Sequence, residues 1–220
     1  MRDSAEAVQI PAGSVLLEGD LSVPADARGV VLFAHGSGSS RHSSRNRYVA
    51  SRLQAARFAT VLLDLLTPEE EVVDDRTREL RFDIGLLAQR LVGAIDWLHG
   101  HPSTADLEIG CFGASTGGGA ALVAAADRPE TVTAVVSRGG RPDLAGDALP
   151  RVRAPTLLIV GGLDTTVIEL NREAMRRMGA EVRLEIVPGA THLFEEAGKL
   201  DVVTDLTSEW FAQHFGSRVR

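Results

Sequence analysis

Residues 107–126 read LEIGCFGASTGGGAALVAAA. The first six are a short apolar run of strand length, and the last are small residues that build a helix. Between them, Gly113-Ala-Ser115-Thr-Gly117 matches G-x-S-x-G. A strand, a glycine-flanked serine and a helix, in that order, are what a nucleophile elbow requires. The glycines answer a steric demand. The turn forces the serine into a strained backbone conformation, and a Cβ at Gly113 or Gly117 would strike the neighbouring strand or helix. The serine then projects above the sheet at a helix N-terminus, where unpaired N–H groups and partial positive charge suit a developing oxyanion. Alone the pattern is weak, because a glycine-rich strand-to-helix turn can carry an incidental serine or cradle a phosphate. Neither G-x-G-x-x-G nor a Walker lysine stands here, which disfavours the phosphate-loop alternatives.

Outward from this stretch, apolar runs alternate with helical patterns. Residues 30–34 (VVLFA), 59–66 (ATVLLDLL), 132–136, 155–160 (PTLLIV) and 182–187 read as further strands, several of them buried on both faces. Helical spacing is visible at 47–57, 84–98, 116–126 and 167–178, and in Leu200, Val203, Leu206, Trp210 and Phe215 near the end. Strand–helix alternation implies parallel strands joined by right-handed crossovers, hence the α/β class with helices on both faces of a mostly parallel sheet. The first 23 residues, with VQI and then SVLLEGDLSV, read as an antiparallel hairpin on the sheet edge. The charged stretch 68–81 (PEEEVVDDRTRELR) reads as a loop or short exposed helix. Such runs are ordinarily solvated surface; the functional alternative is a rim beside a site, since this one follows a strand's C-terminal end. No repeat, low-complexity tract or linker interrupts the chain, so residues 1–220 are expected to form one domain.

The 220 residues carry 23 Lys+Arg against 30 Asp+Glu, a net charge of −7. The acidic balance argues against nucleic acid as a partner, since phosphate contacts need a basic face. No apolar run approaches the roughly 18 residues of a membrane span, and the first residues lack the apolar core of a secretory signal, so a cytoplasmic location and no membrane partner are expected. The single cysteine, Cys111, excludes an internal disulfide framework and multi-cysteine metal sites. No metal and no cofactor is expected. His99-x-His101 is an isolated pair at a helix end before Pro102, where a cationic cap is the ordinary explanation.

A serine hydroxyl needs a base to accept its proton. Among six histidines, His192 lies in Pro188-Gly-Ala-Thr-His after the last strand, where a loop can swing a side chain over the elbow. The acid that orients it is expected to be Asp164, in Gly161-Gly-Leu-Asp directly after a strand; the lesser alternative is that this aspartate caps the next helix. Glu195 and Glu196 are rival acids. Ser115 precedes Asp164 by 49 residues, and Asp164 precedes His192 by 28, each after a different strand. The oxyanion hole is expected from the Thr116 N–H and a second N–H in His35-Gly-Ser-Gly-Ser39, assigned to Ser37, with Gly36 or Gly38 as replacements and as substrate contacts. His35 is expected to brace this loop.

With HGSGSS, GASTG, GGLD and GATH each after a strand, the chain resembles the α/β-hydrolase superfamily over nearly its whole length. It is most similar to the compact, lidless dienelactone-hydrolase-like branch, with Leu63-Asp-Leu-Leu-Thr67 as a further cue. Dienelactone hydrolases proper use a cysteine nucleophile; here Ser115 holds that place, and Cys111 reads as core filler. The resemblance therefore implies a serine ester hydrolase working through an acyl-enzyme. Acyl transfer, thioester or peptide cleavage, or ligand binding without catalysis remain open on the same scaffold. Chains of this kind are sometimes joined to a phosphoribosyltransferase. Only residues 138–154 stand where a cap would be inserted, too few for a multi-helix lid. An open site suited to a small-molecule ester, with a short acyl chain or a lactone, is expected. Arg138 is expected to contact an anionic substrate group, with Arg41, Arg45, Arg47 and Arg141 nearby; the alternative is that these arginines are solvated or paired with the acidic run at 69–79. Assembly into a homo-oligomer stays open.

Overall fold

The computed structural model describes residues 5–216. Residues 1–4 and 217–220, which the expected hairpin and domain include, lie outside the described residues. The expected hairpin forms as β1 (Glu6–Ala12) and β2 (Val15–Ser22), turning at Gly13 with φ +68°. The continuous apolar runs become β3 (Val30–Ala34), β4 (Ala59–Leu63), β5 (Ile109–Ala114), β6 (Val132–Arg138), β7 (Thr156–Gly161) and β8 (Val182–Val187). They join one sheet in the order β1-β2-β4-β3-β5-β6-β7-β8, with β3 to β8 mutually parallel and β2 antiparallel to β4. Strand order reverses around β3, so the chain leaves opposite faces on the two sides of the sheet centre, where α/β folds open a crevice.

Alternation along each central strand feeds two cores. In β3, Val30, Leu32 and Ala34 face one cluster, while Val31 and Phe33 face the other. The first cluster is closed by α3 (Ile84–Gly100) and α4 (Thr116–Asp127). The second is closed by α1 (Ser44–Ala55) and α6 (Lys199–His214), with Phe33 and Phe112 packed at 4.9 Å between ring centroids. The remaining helix of this series, α5 (Thr165–Arg177), follows β7. Phe215, expected within the last helix, is the residue just after α6. Cys111 is fully interior, and burial pushes its thiol up to about 12, which suits a filler and not a nucleophile.

Two expected boundaries move for a visible reason. The run 59–66 ends as strand at Leu63, because Asp64 turns its carboxylate to the Arg41 backbone N–H (2.6 Å) and guanidinium. Leu65 then donates its N–H to a histidine ring instead of a strand neighbour. The charged stretch is a helix, α2 (Pro68–Thr77), followed by a 3₁₀ turn. A capping box starts it: the Thr67 hydroxyl accepts from the Glu70 N–H, the Glu70 carboxylate accepts from the Thr67 N–H, and Pro68 occupies the first helical position. Between β6 and β7, a 3₁₀ segment Pro142–Arg151, broken at Gly146 (φ +51°), packs Ala145 and Leu149 inward. Among the described residues no large cap covers the C-terminal edge of the sheet. Among the described residues no helix is long and apolar enough to cross a membrane.

Candidate active site

Ser115 sits between β5 and α4 with φ +52° and ψ −122°, a conformation that non-glycine residues adopt only under constraint. The constraint is backbone crowding. A Cβ on Gly113 would lie 2.5 Å from Gly117 O, and one on Gly117 would lie 2.4 Å from Ala34 O. Thus α4 rests on β5 and β3 at a distance only bare backbone permits. The Ser115 N–H donates to Arg138 O (3.2 Å), and its carbonyl accepts from the N–H groups of Gly118 and Arg141 (3.0 Å each).

The loops after β7 and β8 bring two further side chains to this serine. The Ser115 hydroxyl donates to His192 Nε2 at 3.4 Å, and His192 Nδ1–H donates to Asp164 Oδ2 at 2.6 Å. The second bond is short and charge-assisted, whereas the first is long, as such bonds often are without substrate. Asp164 occupies the N-cap position of α5 but makes no side-chain capping bond; its carboxylate is committed to the imidazole. The rival acids are engaged elsewhere. Glu195 accepts from Arg45 (3.1 Å), and Glu196 accepts from the Thr191 N–H (3.1 Å).

The loop after β3 forms the facing wall. His35 Nδ1–H donates to Gly36 O (2.9 Å), and Leu65 N–H donates to His35 Nε2 (3.1 Å). This pattern needs the neutral ring, and burial accordingly holds the His35 pKa below the usual imidazole value. The imidazole ties the glycine loop to the end of β4, as a brace should. Beyond it, a Cβ on Gly36 would come 3.2 Å from Ser115 Cβ, so the loop lies against Ser115. Gly38 turns the loop at φ +68°. The Ser37 N–H donates to Thr116 Oγ1 (2.9 Å). The two expected oxyanion residues are therefore side by side, but linked through a threonine hydroxyl that the sequence analysis left out. The signal available was the hydroxyl-bearing residue at the second variable position of G-x-S-x-G.

Gly36, Ser37, Gly38 and Thr116 line a cavity of about 490 Å³, together with Glu71 and Asp74 of α2 and with Arg81. The charged stretch after β4 thus contributes a rim to this cavity, whose lining reaches Thr116 but not Ser115, Asp164 or His192. The arginines do not converge on the cavity. Arg41 pairs with Glu18, Asp20 and Asp64, and Arg141 with Asp143. Pairing with the acidic run falls instead to Arg81, on Asp74 and Asp75, and to Arg90, on Glu70. Arg138 is 6% exposed and lies on the α1 side of β6, where its Nη2–H donates to Asn46 Oδ1 (3.3 Å). Its Nε and Nη1 have no hydrogen-bond partner among the described residues. Burial, and then the neighbouring Arg45, lowers its pKa to about 10. Among the described residues no three His, Cys, Asp or Glu side chains gather as metal ligands.

With serine, imidazole and carboxylate in one hydrogen-bonded line beside an open cavity, the arrangement has the parts for nucleophilic acyl chemistry. Residues 17–210 match the model of the dienelactone hydrolase family. A dienelactone hydrolase from Anabaena variabilis is 62% identical, with a TM-score of 0.96 over 98% of this chain and all of that one. Mycobacterium tuberculosis proteins named "Putative phosphoribosyl transferase" are 60% identical over 95% of this chain. The chain spans 46% of the length of those relatives. A Xanthomonas campestris protein described as an α/β serine hydrolase without lid shares the fold, with a TM-score of 0.76 at 16% identity, over 100% of this chain and 99% of that one.

Proposed function

We propose, from the premise that this chain belongs to the dienelactone hydrolase family, that it hydrolyses carboxylic esters through an acyl-enzyme on Ser115. The observation that carries the proposal is the unbroken line from Ser115 Oγ through His192 to Asp164. His192 takes the serine proton as Oγ attacks the carbonyl, and Asp164 holds the tautomer that leaves Nε2 free to do so. The tetrahedral oxyanion forms at the N-terminus of α4, against the Thr116 N–H and the loop carrying Ser37. Collapse expels the alcohol, with the proton returned by His192. A water, deprotonated by the same imidazole, then releases the acid.

The cavity volume, and the lack of a large cap among the described residues, suit small soluble esters or lactones. The test is hydrolysis of a short-chain p-nitrophenyl ester, with and without an added alcohol. Acid as the main product supports hydrolysis, whereas a new ester growing with alcohol concentration would indicate acyl transfer. The transferase in the relatives' name describes chains about twice this length.

A further inference from the structure

A hydroxyl has one proton to give and two lone pairs with which to accept. At Thr116 one lone pair is committed, because Ser37 N–H donates to Oγ1 at 2.9 Å. The hydroxyl proton has no acceptor among the described residues, and Thr116, otherwise 4% exposed, lines the cavity beside Ser115. The backbone N–H of the same residue stands at the first position of α4, where no intrahelical acceptor can reach it. Two unspent donors, one backbone and one side-chain, thus belong to one residue next to the nucleophile.

Resting on the ester-hydrolase reading above, we propose that the Thr116 hydroxyl is itself an oxyanion donor, and that the Ser37 N–H serves the oxyanion through it. Ser37 fixes the rotor from behind, so the O–H can point away from the loop and into the cavity. A hydroxyl that accepts a hydrogen bond is also polarised toward giving its own. The developing charge on the carbonyl oxygen is met by Thr116 N–H and Thr116 O–H, with Ser37 N–H in line behind the second. No bond to Thr116 forms or breaks, and its proton stays on Oγ1 throughout.

Thr116→Val isolates the hydroxyl, since it keeps the backbone N–H and nearly the same shape. Two quantities are read: kcat and KM on p-nitrophenyl acetate, and the second-order rate at which a fluorophosphonate labels Ser115. Both chemistries build negative charge on an oxygen seated in the same place. The expected result is a kcat lower by about 100-fold, the size of losing one oxyanion donor, with KM changed by less than about threefold and labelling slowed in parallel. Thr116→Ser, which restores a hydroxyl, should recover most of the loss. Thr116→Ala repeats the measurement with a smaller side chain should the valine variant not fold. A valine variant labelled as fast as wild type, or faster, would overturn the role of the hydroxyl, as would a serine variant no better than the valine one. A wild-type protein that does not label at Ser115 would instead overturn the ester-hydrolase reading itself.

Discussion

The two walls of the site are built by different physics. On the elbow side, Ser115 is positioned by backbone packed on backbone: α4 lies on β3 and β5 through Gly113 and Gly117, with no room for a methyl group. On the facing side, the glycine loop and α2 are held by polar contacts: His35 to Gly36 and Leu65, Arg41 to Asp64, Arg81 to Asp74, and Thr67 to Glu70. Packing of the first kind is indifferent to salt and to proton concentration. Contacts of the second kind respond to both. Ser115 is thereby held by contacts that neither salt nor pH reaches, while the facing wall is held by contacts that both can weaken.

The sharpest separation of the two walls comes from chemistry. Ser115→Ala should lower kcat by roughly 10⁶-fold, and Asp164→Asn by about 10⁴-fold, with thermal unfolding little changed in either, because neither packing nor charge pairing elsewhere is touched. Steady-state rates and a melting curve on each variant decide it. Next in size is Gly117→Ala. Its Cβ would meet Ala34 O at 2.4 Å, so α4 must lift from the sheet. A loss of about 3 kcal/mol in urea unfolding is expected, together with a fall in activity. Asp75→Ala on the facing wall should cost less than about 1 kcal/mol, since its partner Arg81 keeps Asp74 and the Asp75 carboxylate is exposed. Equal costs for the two substitutions would erase the contrast.

The smallest effect concerns pH. His35 is held neutral by burial, so its folded pKa lies below the unfolded value. Between the two, the unfolded chain binds a proton that the folded chain refuses. Stability from this group is therefore full above the unfolded pKa, roughly 6.5, and declines as pH falls toward the folded one. Protonation would also set an imidazole N–H against the Leu65 N–H. His35→Gln should flatten the stability-versus-pH curve below about pH 6.5, measured by urea unfolding at several pH values. A slope identical to wild type would place the acid sensitivity elsewhere.

Much of the fold was legible because continuous apolar runs and a steric glycine pattern leave few alternatives. The hairpin, the parallel strands and the elbow each follow from a local signal. The convergence of Ser115, Asp164 and His192 followed from their places after three different strands. What escaped depended on a single polar contact. The end of β4 is set by Asp64 turning to Arg41, which no periodicity announces. The helix at 68–77 was one of the two readings of the charged stretch, and a threonine, a proline and a glutamate in capping-box spacing decide for it. The depth of Arg138 was hidden because an arginine at a strand end is ordinarily solvated, and here Asn46 of α1 covers it.

The activation of Ser115 by an imidazole held on Asp164 is tested most directly by peptide mapping after brief fluorophosphonate exposure. A single adduct on the peptide carrying Ser115 is expected, formed at least about 10³-fold more slowly in His192→Ala. An adduct on another residue, or one whose rate does not change when His192 is removed, would contradict it.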